Sequence, residues 1–422
     1  MVSYLIMRAY RSIPMPARQR ISSLKERLKE AARKMRLETI PVDACLQGGD
    51  SGMSAGGFSR MVGDVRRSSR SIAEWPHVKL LREYERLGDE IWEWDVFERT
   101  DYYRNAATCI EMCGRYFDAV APDQIQLGAR RFVGCYLGTP STLPRQVDQS
   151  DEEGKRQYVT VRPVKDSPCY QVCDGHHRLA IAHMKGIRAV RGFIEYPPVT
   201  TPLQERLLDI SWLHGKRELY QPVSSPELES WVLVRRCTDR LAKMVEFLRG
   251  EGLMPSGSSR YLDVASSYGW FVSEMSKAGF HAEGVERDPT ANSIGELMYG
   301  LRPEQQHRSE CTSFLRAVQE PYDITSCFSL AHHYVLNRLN VSAEELLRLL
   351  DAATRRVMFF EMGQGHEKFF SGSALAGWDA DHIHEWLKAN TTFTRIVRLG
   401  VDEDAVAPFQ DSYGRMLFAC LR

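Results

Sequence analysis

Residues 260–288, RYLDVASSYGWFVSEMSKAGFHAEGVERD, constrain this chain more than any other stretch. Tyr261–Val264 has strand character, Phe271–Ala278 has helical spacing, and Ala282–Glu286 is a second short strand ending in a carboxylate. A strand, a tight turn, a helix and a returning strand with an acid about 20 residues on form the first unit of a nucleotide-binding α/β fold. The turn must let backbone approach a ligand closely, and the small residues Ala265, Ser266, Ser267 and Gly269 allow it. Glu286 can accept both hydroxyls of a ribose.

The run resembles the first motif of class I S-adenosylmethionine-dependent methyltransferases, an acidic residue followed by glycines at alternate positions. Asp263 and Gly269 match, while Ala265 and Ser267 stand where the first two glycines would be. Small residues still meet the steric demand. The same turn can belong to a dehydrogenase, although a pyrophosphate needs its glycines more strictly than a cofactor without phosphate. The resemblance implies S-adenosylmethionine, with Asp263 orienting the turn and the methionine amine, and with Ala265, Ser267, Gly269 and Glu286 around the cofactor.

Later segments extend the likeness. Tyr322–Leu330 reads as a buried strand running into Ala331-His332-His333-Tyr334. A capped helix over Ser342–Leu350 follows, then a strand over Arg356–Glu361, a helical stretch at His384–Leu387, and strands at Thr394–Leu399 and Arg415–Cys420. Small-molecule and sugar methyltransferases carry a similar His-His pair, so the resemblance covers residues 225–422. It implies Glu310 near the adenine edge, Ser329 at the cofactor, and a base for an acceptor hydroxyl at His332 or His333. Imidazole suits that task because its ordinary pKa lies near operating pH. Adjacent residues leaving a strand point apart, so one of the two faces the substrate; His333 is preferred.

The middle of the chain holds a second signal. Strands at Tyr158–Pro163 and Tyr170–Cys173 lead into Asp174-Gly175-His176-His177-Arg178, a helix over Leu179–Lys185 and a strand over Ala189–Glu195. A glycine turn feeding a helix N-terminus is an anion seat. The stretch resembles the ParB/sulfiredoxin-like fold, which includes partition proteins, sulfiredoxins and free-serine kinases. That likeness implies nucleotide phosphate on Gly175, His176, His177 and Arg178, with Asp174 as a base or metal-proximal acid, and ATP or ADP with Mg in a kinase. The cysteine of sulfiredoxins is replaced by histidine. Cys169, Cys173 and the two histidines straddle a strand and a turn, so no metal site is expected.

Lys+Arg and Asp+Glu both number 55, so the chain has no net field for a polyanion and no nucleic acid is expected as partner. Residues 1–36 are the exception, with ten basic side chains against Glu26 and Glu30 and an apolar stripe from Ile21 to Met35. A basic amphipathic helix there can pack on its own domain or lie on anionic lipid. The ten cysteines are scattered from Cys45 to Cys420, no secretory leader is recognised, and no run of about 18 apolar residues occurs. The expected location is the cytoplasm, at most peripheral to the inner membrane surface.

The expectation is an α/β chain. A basic helix and flexible Gly/Ser-rich linker occupy 1–72, an α+β ParB/sulfiredoxin-like domain 73–200, a helical connector 201–254, and a Rossmann-like methyltransferase sheet 255–422. The charged face of the connector, with Arg235, Arg236, Arg240 and Lys243, reads as solvated surface or a seat for an anionic acceptor. The expected activity is O-methylation of a sugar or glycan intermediate. The competing reading is a nucleotide- or DNA-binding module on a degenerate methyltransferase scaffold.

Overall fold

A computed structural model describes residues 37–50, 53–138, 158–255 and 257–422. The expected basic helix over 1–36 lies outside them. The chain divides into two units, one reaching Gln204 and including Ser225–Ser230, the other made of Glu205–Ser224 and Trp231–Arg422.

The first unit is a mixed five-stranded sheet covered by helices. Its strands are β1 (Leu37–Pro41), β2 (Cys45–Leu46), β3 (Val159–Pro163), β4 (Tyr170–Asp174) and β5 (Ala189–Ile194), ordered β1-β5-β3-β4-β2. The helices are α1 (Ala55–Met61), α2 (Pro76–Leu87), α3 (Asp101–Cys113), α4 (Pro122–Leu137) and α5 (His176–Met184). Pro76 and Pro122 open α2 and α4, where a missing N–H costs nothing, and the Thr100 hydroxyl caps α3 by accepting from Tyr103 N. Val78, Leu81, Tyr102 and Phe132 pack with Val161 and Leu179 into one core.

The Gly/Ser-rich segment 44–72 is not a linker. Phe58 and Ile72 join the core, and buried Arg67 pairs with buried Asp50 and donates to Asn105 Oδ1 at 2.8 Å. Glycine content misled because much of what orders this segment, Asn105 on α3 and Gln171 on β4 among it, lies elsewhere in the sequence.

The second unit is a seven-stranded doubly wound sheet. Its strands are β6 (Arg260–Val264), β7 (His281–Val285), β8 (Gln306–His307), β9 (Tyr322–Phe328), β10 (Thr354–Glu361), β11 (Arg395–Val401) and β12 (Met416–Leu421). Their order is β8-β7-β6-β9-β10-β12-β11, the first five parallel, with β12 antiparallel to both of its neighbours, β10 and β11. Helices α6 (Thr238–Gly250), α7 (Trp270–Lys277), α8 (Pro289–Tyr299), α9 (Cys311–Ala317), α10 (Ala331–Val335), α11 (Ala343–Ala353) and α12 (Ala380–Asn390) complete it. Both faces of β6 are covered. Leu262 and Val264 pack with Leu346, Leu350 and Leu387, while Tyr261 packs with Phe271, Met275 and Met244. Two-sided burial explains why these strands read as apolar runs.

The connector expectation is corrected. Residues 205–224 and 231–254 belong to the second unit and 225–230 to the first. The α-helices of this stretch are Pro202–Leu208 and Thr238–Gly250, while Val232–Leu233 pairs with Glu218–Leu219 as a two-stranded ribbon.

Candidate active site

Strand order reverses between β6 and β9, and a doubly wound sheet binds its ligands beyond the carboxyl ends of the strands at that point. The turn Ala265–Gly269 lies there. Ala265, Ser267 and Gly269 have φ of +61°, +55° and +80°, so all three alternate positions are left-handed. A side chain at positive φ is strained and persists only where its surroundings impose it, and such strain gathers at functional sites. The Ala and Ser that break the glycine pattern therefore hold a glycine conformation.

Glu286 ends up against this turn. Its Oε2 accepts from Ser267 N at 3.1 Å and its Oε1 from Asp288 N at 2.9 Å. Burial raises its pKa, and those backbone N–H groups oppose the rise. Asp263 is buried at the end of β6 and accepts from Ser326 Oγ at 2.6 Å. Burial pushes its pKa up to about 7, although Ser326 and the Arg240 guanidinium favour the charged form. The Ser267 hydroxyl is buried with no hydrogen-bond partner among the described residues.

Gln221 braces the turn from outside, and sequence reasoning missed it. Its Oε1 accepts from Tyr268 N and Trp270 N at 3.1 and 3.2 Å, and its Nε2 donates to Ser266 O at 3.2 Å. No local pattern in residues 205–224 marks this role.

His332 and His333 part company, as expected of adjacent residues. His332 is buried and its Nδ1 accepts from Gly363 N at 3.2 Å. His333 is half-buried, with Nδ1 3.3 Å from an Arg338 nitrogen and no hydrogen bond to Nε2 among the described residues. Burial, Arg338 and Arg415 lower the His333 pKa to about 4, so its ring is neutral at pH 7. Glu310 caps α9, accepting from Ser313 N at 2.8 Å and Thr312 Oγ1 at 2.6 Å, and also accepts from Tyr334 Oη at 3.2 Å. It is structurally employed.

Ser329 belongs to a buried ionic cluster. Its hydroxyl accepts from Arg235 at 2.8 Å and Arg415 at 2.9 Å. Glu361, wholly buried at the end of β10, meets Arg415, Arg235 and Arg240 at 2.8, 3.1 and 3.3 Å. Arg235 also meets Asp402, Arg240 meets Asp404, and Arg415 binds Glu367 through two nitrogens. Burial raises the Glu361 pKa, but the three guanidiniums outweigh it and hold the carboxyl well below the usual range. The expectation that Arg235 and Arg240 form a solvated face is thus corrected: their counter-charges come from residues 361–404, invisible to helical periodicity.

In the first unit, Gly175 has φ +104° and a Cβ there would sit 2.8 Å from Val159 Cγ1. The histidines that follow turn inward. His176 Nε2 accepts from Gly48 N at 3.1 Å, and His177 Nε2 shares a hydrogen bond with Tyr102 Oη at 3.0 Å. Burial, chiefly, lowers their pKa values to about 3 and about 4. Uncharged and engaged in the core, they do not offer a phosphate the positive charge expected of them. Arg178 donates to exposed Asp174 at 2.8 Å and to Tyr158 O at 2.8 Å.

No helix among the described residues is long and apolar enough to cross a membrane. No protein-family model matches the sequence, and no curated protein matches it. Among solved structures, the chain is similar to the bifunctional kinase-methyltransferase WbdD, at 17% identity and TM-score 0.40 over 52% of this chain and 46% of that one. The magnesium protoporphyrin IX methyltransferase ChlM from Synechocystis PCC 6803 with bound SAM gives 15% identity and TM-score 0.32, over 43% of this chain and 78% of that one. A SAM-dependent methyltransferase from Archaeoglobus fulgidus gives 14% and 0.30, over 44% and 94%. The chain therefore spans less than half the length of the WbdD chain it matches.

Proposed function

We propose that the second unit is a methyltransferase that binds S-adenosylmethionine over the Ala265–Gly269 turn and methylates a hydroxyl of a sugar or glycan intermediate. The observation that carries this is the alternation of left-handed Ala265, Ser267 and Gly269 at the reversal point of the sheet, beside Glu286. The residues fit the group. A carboxylate has about four acceptor positions; backbone groups of Ser267, Asp288 and Arg287 hydrogen-bond to Glu286, and the capacity left over would meet a ribose hydroxyl. The unpartnered Ser267 hydroxyl adds a polar contact to the same turn.

Asp263 and Ser267 would hold the methionine end and Glu286 the sugar. Bound there, the sulfonium supplies an activated methyl group. The chain's own part is to align the acceptor and receive its proton. His333 Nε2 is the candidate for the second task because it has no hydrogen bond among the described residues, whereas the Nδ1 of His332 is taken by Gly363. The lowered pKa of His333 makes it a weaker base than an ordinary imidazole. Incubating the full chain with methyl-labelled cofactor and glycan acceptors tests this. Wild type should label a hydroxyl-bearing product, and His333→Ala should slow labelling by about 10²-fold or more. Undiminished labelling would remove His333 from the chemistry.

A ParB/sulfiredoxin-like first unit, binding ATP or ADP with Mg through Gly175 and Arg178 with Asp174 as base, remains our reading of that half. The left-handed Gly175 at the start of α5 supports it. The second reading, a binding module on a degenerate methyltransferase scaffold, is favoured by the cluster of Arg235, Arg240 and Arg415 with Glu361, Glu367, Asp402 and Asp404, which places internally paired charge past β9 and β10.

A further inference from the structure

We infer that Gln221 determines the cofactor class of the second unit, by occupying the backbone N–H seat that a pyrophosphate would need. The inference rests on the reading of the Ala265–Gly269 turn as a cofactor site. In a dinucleotide-binding fold the pyrophosphate sits on N–H groups of the turn after the first strand and at the start of the helix that follows. Here those donors are Tyr268 N and Trp270 N, the latter the first residue of α7, and both point at Gln221 Oε1. The amide is 5% exposed and its Nε2 is engaged by Ser266 O, so both its ends are satisfied. An anion would have to expel it and leave the carbonyl and the amide unpaired. A cofactor without phosphate has no such need.

The same segment holds the neighbouring loop. Ser211 donates from N and Oγ to Asp288 Oδ2 at 3.2 and 2.7 Å, and Asp288 N donates to Glu286 Oε1. Residues 211–221 thus brace both loops that Glu286 spans. Gln221 is a positioning residue: it shapes the turn, and Glu286 meets the sugar.

The test compares the full chain with Gln221→Gly and Gln221→Glu, using S-adenosylhomocysteine, NAD and inorganic phosphate in calorimetry and thermal shift. Wild type should bind S-adenosylhomocysteine and ignore NAD and phosphate. Gln221→Gly should bind S-adenosylhomocysteine about tenfold more weakly and gain a thermal shift with phosphate, which a merely structural role would not produce. Gln221→Glu keeps an acceptor for both N–H groups but turns its second oxygen on the Ser266 carbonyl, so it should bind S-adenosylhomocysteine more weakly than wild type and still show no phosphate shift. Unchanged affinity in Gln221→Gly, or no phosphate shift in it, would overturn the inference. If that variant does not fold, Gln221→Ala takes its place with the same two readouts and the same overturning outcomes. A wild type that binds no S-adenosylhomocysteine defeats the cofactor reading instead, and the phosphate arm still decides the role of Gln221.

Discussion

Glu286 accepts the N–H of Ser267 at 3.1 Å, so the loop after β7 holds the loop after β6 in its left-handed course. One carboxylate thereby couples the two loops at the end of the sheet where strand order reverses.

The turn itself makes the first expectation. A non-glycine residue in the left-handed region costs about 1–2 kcal/mol, while glycine raises the entropy of the unfolded chain by about 0.5–1 kcal/mol. Ala265→Gly should therefore leave stability unchanged or raise it by up to about 1 kcal/mol, and preserve S-adenosylhomocysteine binding. Ala265→Val should lower stability by about 2 kcal/mol or more, because a β-branched residue is a worse occupant at φ +61°. Urea unfolding of both variants checks the opposite signs.

The ionic cluster makes the second. Glu361 is wholly buried among three guanidiniums, and removing one partner from a buried pair typically costs about 3–5 kcal/mol through the charge left behind. Glu361→Gln should cost about that much in chemical denaturation. A loss below about 1 kcal/mol would mean the cluster is hydrated and near break-even.

What the sequence disclosed divides along physical lines. Tyr261–Val264, Tyr322–Phe328 and the returning β12 were legible because two-sided burial writes apolar runs into them. The Asp263-to-Glu286 spacing was legible because one local unit carries it. Arg235 and Arg240 were not: charge on a helical face signals solvent until residues more than 120 positions away, Glu361 and Asp404, supply the counter-charge. Gln221 was hidden for the same reason. The histidines after Gly175 misled because sequence gives their place at a helix start but not that their rings face the core.

That histidine cluster makes a third expectation. An unfolded histidine titrates near 6.5, whereas burial holds His177 near 4, His176 near 3 and His77 well below its ordinary value. Between pH 6.5 and 4 the unfolded state binds more protons at these sites, so stability falls as pH falls, by about 1.4 kcal/mol per pH unit and group. Asp50 opposes this between pH 6 and its ordinary 3.8, since burial raises it to about 6 and the folded form keeps a proton longer. Denaturation midpoints across this range should show a slope flatter by about one proton in His177→Phe than in wild type. Equal slopes would show that His177 is already charged in the native state.

The most direct measurement is titration calorimetry of the full chain with S-adenosylhomocysteine, in wild type and in Glu286→Ala. One site per chain is expected in wild type, with affinity weakened by about tenfold or more in the variant, the scale of losing charge-assisted hydrogen bonds. No heat and no thermal shift in folded wild type, or equal binding by the variant, would contradict the account.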